Sequence, residues 1–167
     1  MVKSLLLSIL IICFGAFLRA AEISSFNIEA KPVFESTVTI SIAFKDDPFK
    51  GSLLCTYHGN TKQGTIETVF IKEGNRNQGL GSKLVRQAIE ELNKRGAQNN
   101  ITVVANPHSK ESEEIDPKKV SLLIRFYEKL GFGVAKYCYL TPENPKHKKV
   151  IYAANMLFMG KPEEKKA

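Results

Sequence analysis

The run Arg76-Asn77-Gln78-Gly79-Leu80-Gly81 joins two segments of different periodicity and constrains the chain more than any other stretch. Before it, Thr65-Ile66-Glu67-Thr68-Val69-Phe70-Ile71 is rich in β-branched and aromatic residues and reads as a strand. After it, Leu80, Leu84, Val85, Ala88, Ile89 and Leu92 recur at helical spacing, with charges on the other face. A glycine-containing turn that opens a helix is a ready anion cradle. Its free N–H groups point outward, the helix dipole favours negative charge, and glycine admits a close ligand. Two common phosphate loops do not fit. A Walker loop needs Gly-Lys, but Leu80 follows Gly79, and a G-x-G-x-x-G fingerprint needs glycine where Leu84 stands.

What remains is R-x-x-G-x-G after Ile71-Lys72-Glu73. It resembles the acetyl-CoA-binding motif V-x-P-x-x-R-G-x-G-x-G of the GCN5-related N-acetyltransferases, the GNAT family. Ile71 takes the Val position, Arg76 the Arg, and Gly79 and Gly81 the last two glycines, while Glu73 replaces the Pro and Asn77 the first Gly. Phe126-Tyr127-Glu128-Lys129-Leu130-Gly131-Phe132 resembles the family's F-Y-x-x-x-G-F segment. There Leu122, Leu123, Phe126 and Leu130 form a helical stripe that Gly131 terminates. The resemblance covers about residues 37–158. It implies an α/β fold with a mixed sheet, the acyl-CoA N-acyltransferase fold, and acetyl-CoA as co-substrate. The pyrophosphate would lie on Arg76, Asn77, Gln78, Gly79, Leu80, Gly81 and Ser82.

The 167 residues suit one domain, expected over 22–159, with 160–167 as a disordered tail. A net charge of +7 suits a polyanionic ligand. No basic stripe interleaved with aromatics points to nucleic acid, and no His/Cys set has metal-ligand spacing. Residues 1–20 read as a secretory signal peptide: Lys3, an apolar run from Ser4 to Leu18, then Ala20-Ala21. This implies export, with membrane contact only through the leader. An uncleaved anchor or a first element of a cytoplasmic protein is the alternative. Cys55 and Cys138 sit in apolar strand-like runs, which favours free thiols but permits one disulfide.

Strands are expected at 23–30, 37–44, 51–57, 65–72, 101–105, 132–139 and 150–159, with helices at 79–95 and from Asp116-Pro117 to Leu130. Lys31-Pro32 is expected to break the first strand. Only Lys31 to Ser36 would then separate it from the second, too few residues for the two helices the family usually places there.

The resemblance also implies roles. Backbone donors around Val69, Phe70 and Ile71 would polarise the thioester carbonyl. Tyr127 would donate to the departing sulfur, and Glu67, on the strand face of Val69 and Ile71, would act through water as base. His108 is a second candidate base, and Glu111–Glu114 could attract a cationic acceptor. Val120 stands where the family often has an Asn that contacts the cofactor. The activity implied is direct acetyl transfer to a primary amine on a small molecule or polypeptide. The alternative is a non-catalytic module that binds CoA or a protein partner.

Overall fold

The structure is a computed structural model that describes residues 25–98, 100–107, 116–140 and 150–160. The leader, His108, Glu111–Glu114 and residues 161–167 lie outside the described residues. In chain order the elements are β1 (Phe26–Phe34), β2 (Thr37–Phe44), β3 (Gly51–His58), β4 (Gln63–Ile71), α1 (Leu80–Lys94), β5 (Ile101–Ala105), α2 (Pro117–Glu128), β6 (Phe132–Leu140) and β7 (Val150–Phe158). The strands form one sheet in the order β1-β2-β3-β4-β5-β7-β6. Only β4 and β5 run parallel, linked by the α1 crossover; every other neighbour is antiparallel.

Lys31-Pro32 does not end β1. The strand continues to Phe34, with a register irregularity between Pro32 and Phe34. β1 is the edge of the sheet, where proline's missing N–H removes no ladder bond. Only Glu35 and Ser36 connect β1 to β2, so no helix intervenes. The second helix stops at Glu128, two residues short of the expected end. Leu130 and Gly131 then donate to the carbonyls of Tyr127 and Glu128, and Gly131 adopts φ +93°.

Both helices lie on the same face of the sheet. α1 packs on β2, β3 and β4, burying Leu84, Val85, Ala88 and Leu92 against Ile40, Ile42, Leu53, Cys55 and Ile66. The register carries that face onward, with Ile66 beside Val103 and Val103 opposite Met156. There α2 adds Val120, Ile124 and Tyr127 to the same core. Among the described residues no helix covers the opposite face over β1–β5, where Leu54, Phe70 and Val104 stand exposed. Cys55 is buried and Cys138 half-buried, both free. Their strands are four positions apart, roughly 19 Å at about 4.8 Å per strand, too far for a disulfide.

Candidate functional site

The β4–β5 pairing is short. It joins Gly64 to Ile101, Thr65 to Thr102 and Ile66 to Val103, and then ends. From Thr68 to Ile71, β4 stays paired with β3 on one side, while its other edge has no strand partner among the described residues. Val69, Phe70 and Ile71 therefore border a cleft between two diverging parallel strands.

Glu67 marks the point of divergence. Leu54 faces Thr68 and Cys55 faces Ile66, so Glu67 is the extra residue of a β-bulge. Ile66 and Val69, three apart, both hold core positions, and Glu67 and Thr68 between them are exposed. The expected sharing of a face by Glu67, Val69 and Ile71 assumed unbroken alternation. The bulge removes that basis and turns Glu67 away from the core. Its carboxylate has no hydrogen-bond or ion-pair partner among the described residues.

Beyond Ile71 the chain makes a 3-10 turn over Glu73–Asn75, in which Arg76 N–H donates to Glu73 O at 3.1 Å. Arg76 Nε donates back to Ile71 O at 3.3 Å, and Gln78 Nε2 to Gly74 O at 3.3 Å. These bonds tie the turn to the end of β4. Asn77 has φ +64° and Gly79 φ +74°. The left-handed region favours glycine, and asparagine is among the few other residues that adopt it readily, so Asn77 can stand where the motif has Gly.

Gly79 is the N-cap of α1 and supplies no side-chain cap. The first helical bond runs from Lys83 N–H to Gly79 O at 3.2 Å. The amides of Leu80, Gly81 and Ser82 have no acceptor among the described residues, and a Cβ on Gly79 would meet no atom within 4 Å. Unpaired amides, a positive helix end, an open glycine and the adjacent Arg76 cation are the requirements for a pyrophosphate. The residues present fit that group.

The second motif meets the first here. A Cβ built on Gly81 would lie 3.5 Å from Phe126 Cζ and 3.8 Å from Ile71 Cγ1. The Phe126 ring packs edge-on against Tyr127, centroids 5.0 Å apart, and Tyr127 against Phe132 at 5.6 Å. Tyr127 is buried, with no hydrogen-bond partner among the described residues, and burial pushes its hydroxyl up to about 12. Val120 is buried in the core. Ile71, Arg76, Gly79–Ser82 and Phe126 thus meet at the α1 N-terminus, with Tyr127 packed against Phe126. Glu67 stands apart at the head of the cleft, and no hydrogen bond joins it to Tyr127.

The profile described as the Acetyltransferase (GNAT) family matches residues 10–132, well over half of the 167. The chain belongs to this family of acyl-CoA-dependent N-acyltransferases. It is similar to N-alpha-acetyltransferase 30 of Schizosaccharomyces pombe, 29% identical over 101 residues. The match covers 59% of this chain and spans 59% of that relative's length. The fold is shared with nourseothricin acetyltransferase, at TM-score 0.51 and 16% identity over 80% of this chain and 84% of the other. It is also shared with a Bacillus subtilis acetyltransferase solved in complex with CoA, at TM-score 0.50 and 16% identity over 80% and 98%.

Sequence reasoning missed the bulge and the Phe126 contact with the glycine turn. The adjacent polar pair Glu67-Thr68, flanked by core residues three apart, was the available signal for the bulge.

Proposed function

We propose that this chain transfers the acetyl group of acetyl-CoA directly to a primary amine. One observation supports the reading: the α1 turn with its unpaired amides packs at Gly81 against Ile71 of β4 and Phe126 of α2, the residue whose ring lies edge-on to Tyr127. In this reading acetyl-CoA supplies the activated acyl group. The amides of Leu80, Gly81 and Ser82, with Arg76, bind its pyrophosphate. Backbone donors of Val69 to Ile71 draw charge onto the thioester oxygen, where preorganised dipoles act most strongly. Tyr127, held protonated by burial, donates to the sulfur as it leaves. Glu67 draws the proton from the amine through water, because an alkylammonium near pKa 10.4 must become neutral to attack. The relative named an N-alpha-acetyltransferase supports an amine acceptor. The absence of helices between β1 and β2 supports a polypeptide, since no such element encloses a small one.

The test is thiol release from acetyl-CoA with a panel of amines and peptides, beside calorimetry of acetyl-CoA binding. Wild type is expected to bind acetyl-CoA and release thiol only with an amine present. Gly79→Glu and Gly81→Glu place a bulky like charge in the cradle and should abolish binding while the fold persists. Wild-type affinity in both variants would remove the cradle from the reading. Binding without release for any amine would assign the non-catalytic alternative.

A further inference from the structure

Tyr127 is placed by packing. Among the described residues no hydrogen bond holds its hydroxyl, so the direction in which it can donate follows from how its ring is wedged. On one side the ring meets Phe132 edge-on, with 5.6 Å between centroids and 72° between planes. Phe132 is buried and packs in turn on buried Phe158 at 5.3 Å, across the β6–β7 pairing. On the other side Tyr127 meets Phe126, at 5.0 Å and 70°. Adjacent helix residues do not ordinarily face each other, since each step turns by about 100°. The contact therefore needs both rings to lean together near the end of α2. Phe126 differs from Phe132 in what stands behind it. A Cβ built on Gly81 would lie 3.5 Å from Phe126 Cζ and 3.7 Å from its Cε2, so the tip of the ring is aimed at the glycine turn. Ile71, Leu80 and Phe126 are all partly buried against the core. One ring thus reaches from the turn that carries the unpaired amides to the tyrosine.

We propose that Phe126 is a positioning residue whose ring is the spacer that fixes the Tyr127 hydroxyl relative to the pyrophosphate cradle. The inference rests on the acetyl-transfer reading, in which the cradle holds one part of acetyl-CoA and Tyr127 meets the sulfur of the same molecule. Both must be met at once, so the separation between cradle and hydroxyl matters as much as either group. A flat ring suits this task. It has no internal torsion, and in a close-packed interior it transmits displacement rather than absorbing it. Shortening it to leucine removes the tip that faces Gly81 and frees space beside Tyr127. Misplacing a reacting group by about 1 Å can cost roughly 10²-fold in rate. A ring that only filled space would change the rate by the same factor whether or not the hydroxyl is present.

The test is a double-mutant cycle of Phe126→Leu and Tyr127→Phe. It is read as the single-turnover rate of acetyl transfer at saturating acetyl-CoA and amine, beside calorimetry of acetyl-CoA binding. Phe126→Leu is expected to slow the step by about tenfold or more, with acetyl-CoA affinity within about threefold of wild type. In the Tyr127→Phe background the same substitution should change the rate by less than about threefold, because the group it positions is gone. Phe126→Met, whose unbranched chain fills irregular gaps, replaces the leucine variant if that one unfolds below the assay temperature, and the same pattern is expected. Equal slowing by the Phe126 substitution in both backgrounds overturns the spacer and leaves Tyr127 and acetyl transfer standing. A wild-type rate in the Phe126 variant overturns it as well. A loss confined to acetyl-CoA affinity makes Phe126 a support of the cradle alone and overturns it too. An unchanged rate in Tyr127→Phe removes the role of the tyrosine, and absence of transfer by wild type to any amine removes the transfer reading; either result takes the spacer with it.

Discussion

Burial alone keeps the Tyr127 hydroxyl protonated. The side chain is 4% exposed and packs against the Phe126 and Phe132 rings, and its hydroxyl is pushed up to about 12 by burial. A free thiolate has a pKa near 8.5. In the proposed transfer the tyrosine would act on the departing sulfur as a neutral hydrogen-bond donor. Tyr127→Phe keeps the ring contacts with Phe126 and Phe132 and deletes only the hydroxyl. It should lower kcat by roughly 10²–10⁴-fold, with acetyl-CoA affinity unchanged. In wild type the pH–rate profile should show no alkaline fall assignable to this tyrosine until the pH nears 12. Unchanged kcat in Tyr127→Phe with a good acceptor would remove Tyr127 from the proton path. The residue scale was partly legible in the sequence. The glycines and the Phe-Tyr pair were readable because their chemistry is local. The tyrosine's isolation was not, because it depends on what α2 and β6 bring around it.

At the scale of elements, legibility followed how far each element's residues determine it by themselves. β2, β5 and α1 appear where the periodicity places them, since each repeats one burial pattern over its whole length. β1 ran through Lys31-Pro32 because an edge position tolerates proline, and no residue of β1 announces that it is an edge. The bulge and the β4–β5 divergence are properties of pairs of strands, so one strand's sequence shows them only as a break in alternation. Packing between α1 and β4 is close enough to test. A Cβ on Gly64 would lie 2.9 Å from Leu92 Cδ1 and 3.0 Å from its Cδ2, and Leu92 is fully buried. Gly64→Ala should therefore destabilise by about 1–3 kcal/mol through overpacking. Combined with Leu92→Val, which removes volume from the crowded side, the loss should be smaller than the sum of the two single losses by at least about 0.5 kcal/mol. Urea unfolding of the four proteins measures this; strict additivity would show that the contact relaxes elsewhere.

For the molecule as a whole, one core beneath one face of the sheet also sets the response to alkali. Burial raises Cys55 from 9.0 to about 12, with Arg95 opposing the shift, and raises Tyr127 from 10.0 to about 12. Both groups are acids whose neutral form the folded state prefers. Below pH 9 both are protonated whether the chain is folded or not, and they leave stability independent of pH. Between about 9 and 12 the unfolded chain releases the Cys55 proton, and above about 10 the Tyr127 proton, while the folded chain keeps both. The unfolded state then binds fewer protons, so stability falls as pH rises. Each group contributes a slope approaching about 1.4 kcal/mol per pH unit once it is ionised in the unfolded chain. Denaturant midpoints at several values from pH 8 to pH 11.5 should be flat at first and then decline, more steeply above pH 10 than just above pH 9. Cys55→Ala lowers stability at every pH by leaving a cavity but removes the earlier-ionising group. Its decline should begin about one unit later and be shallower. A variant that keeps the wild-type onset would show that Cys55 already reaches solvent in the folded protein, and that the β3 side of the core is looser than its packing against α1 indicates.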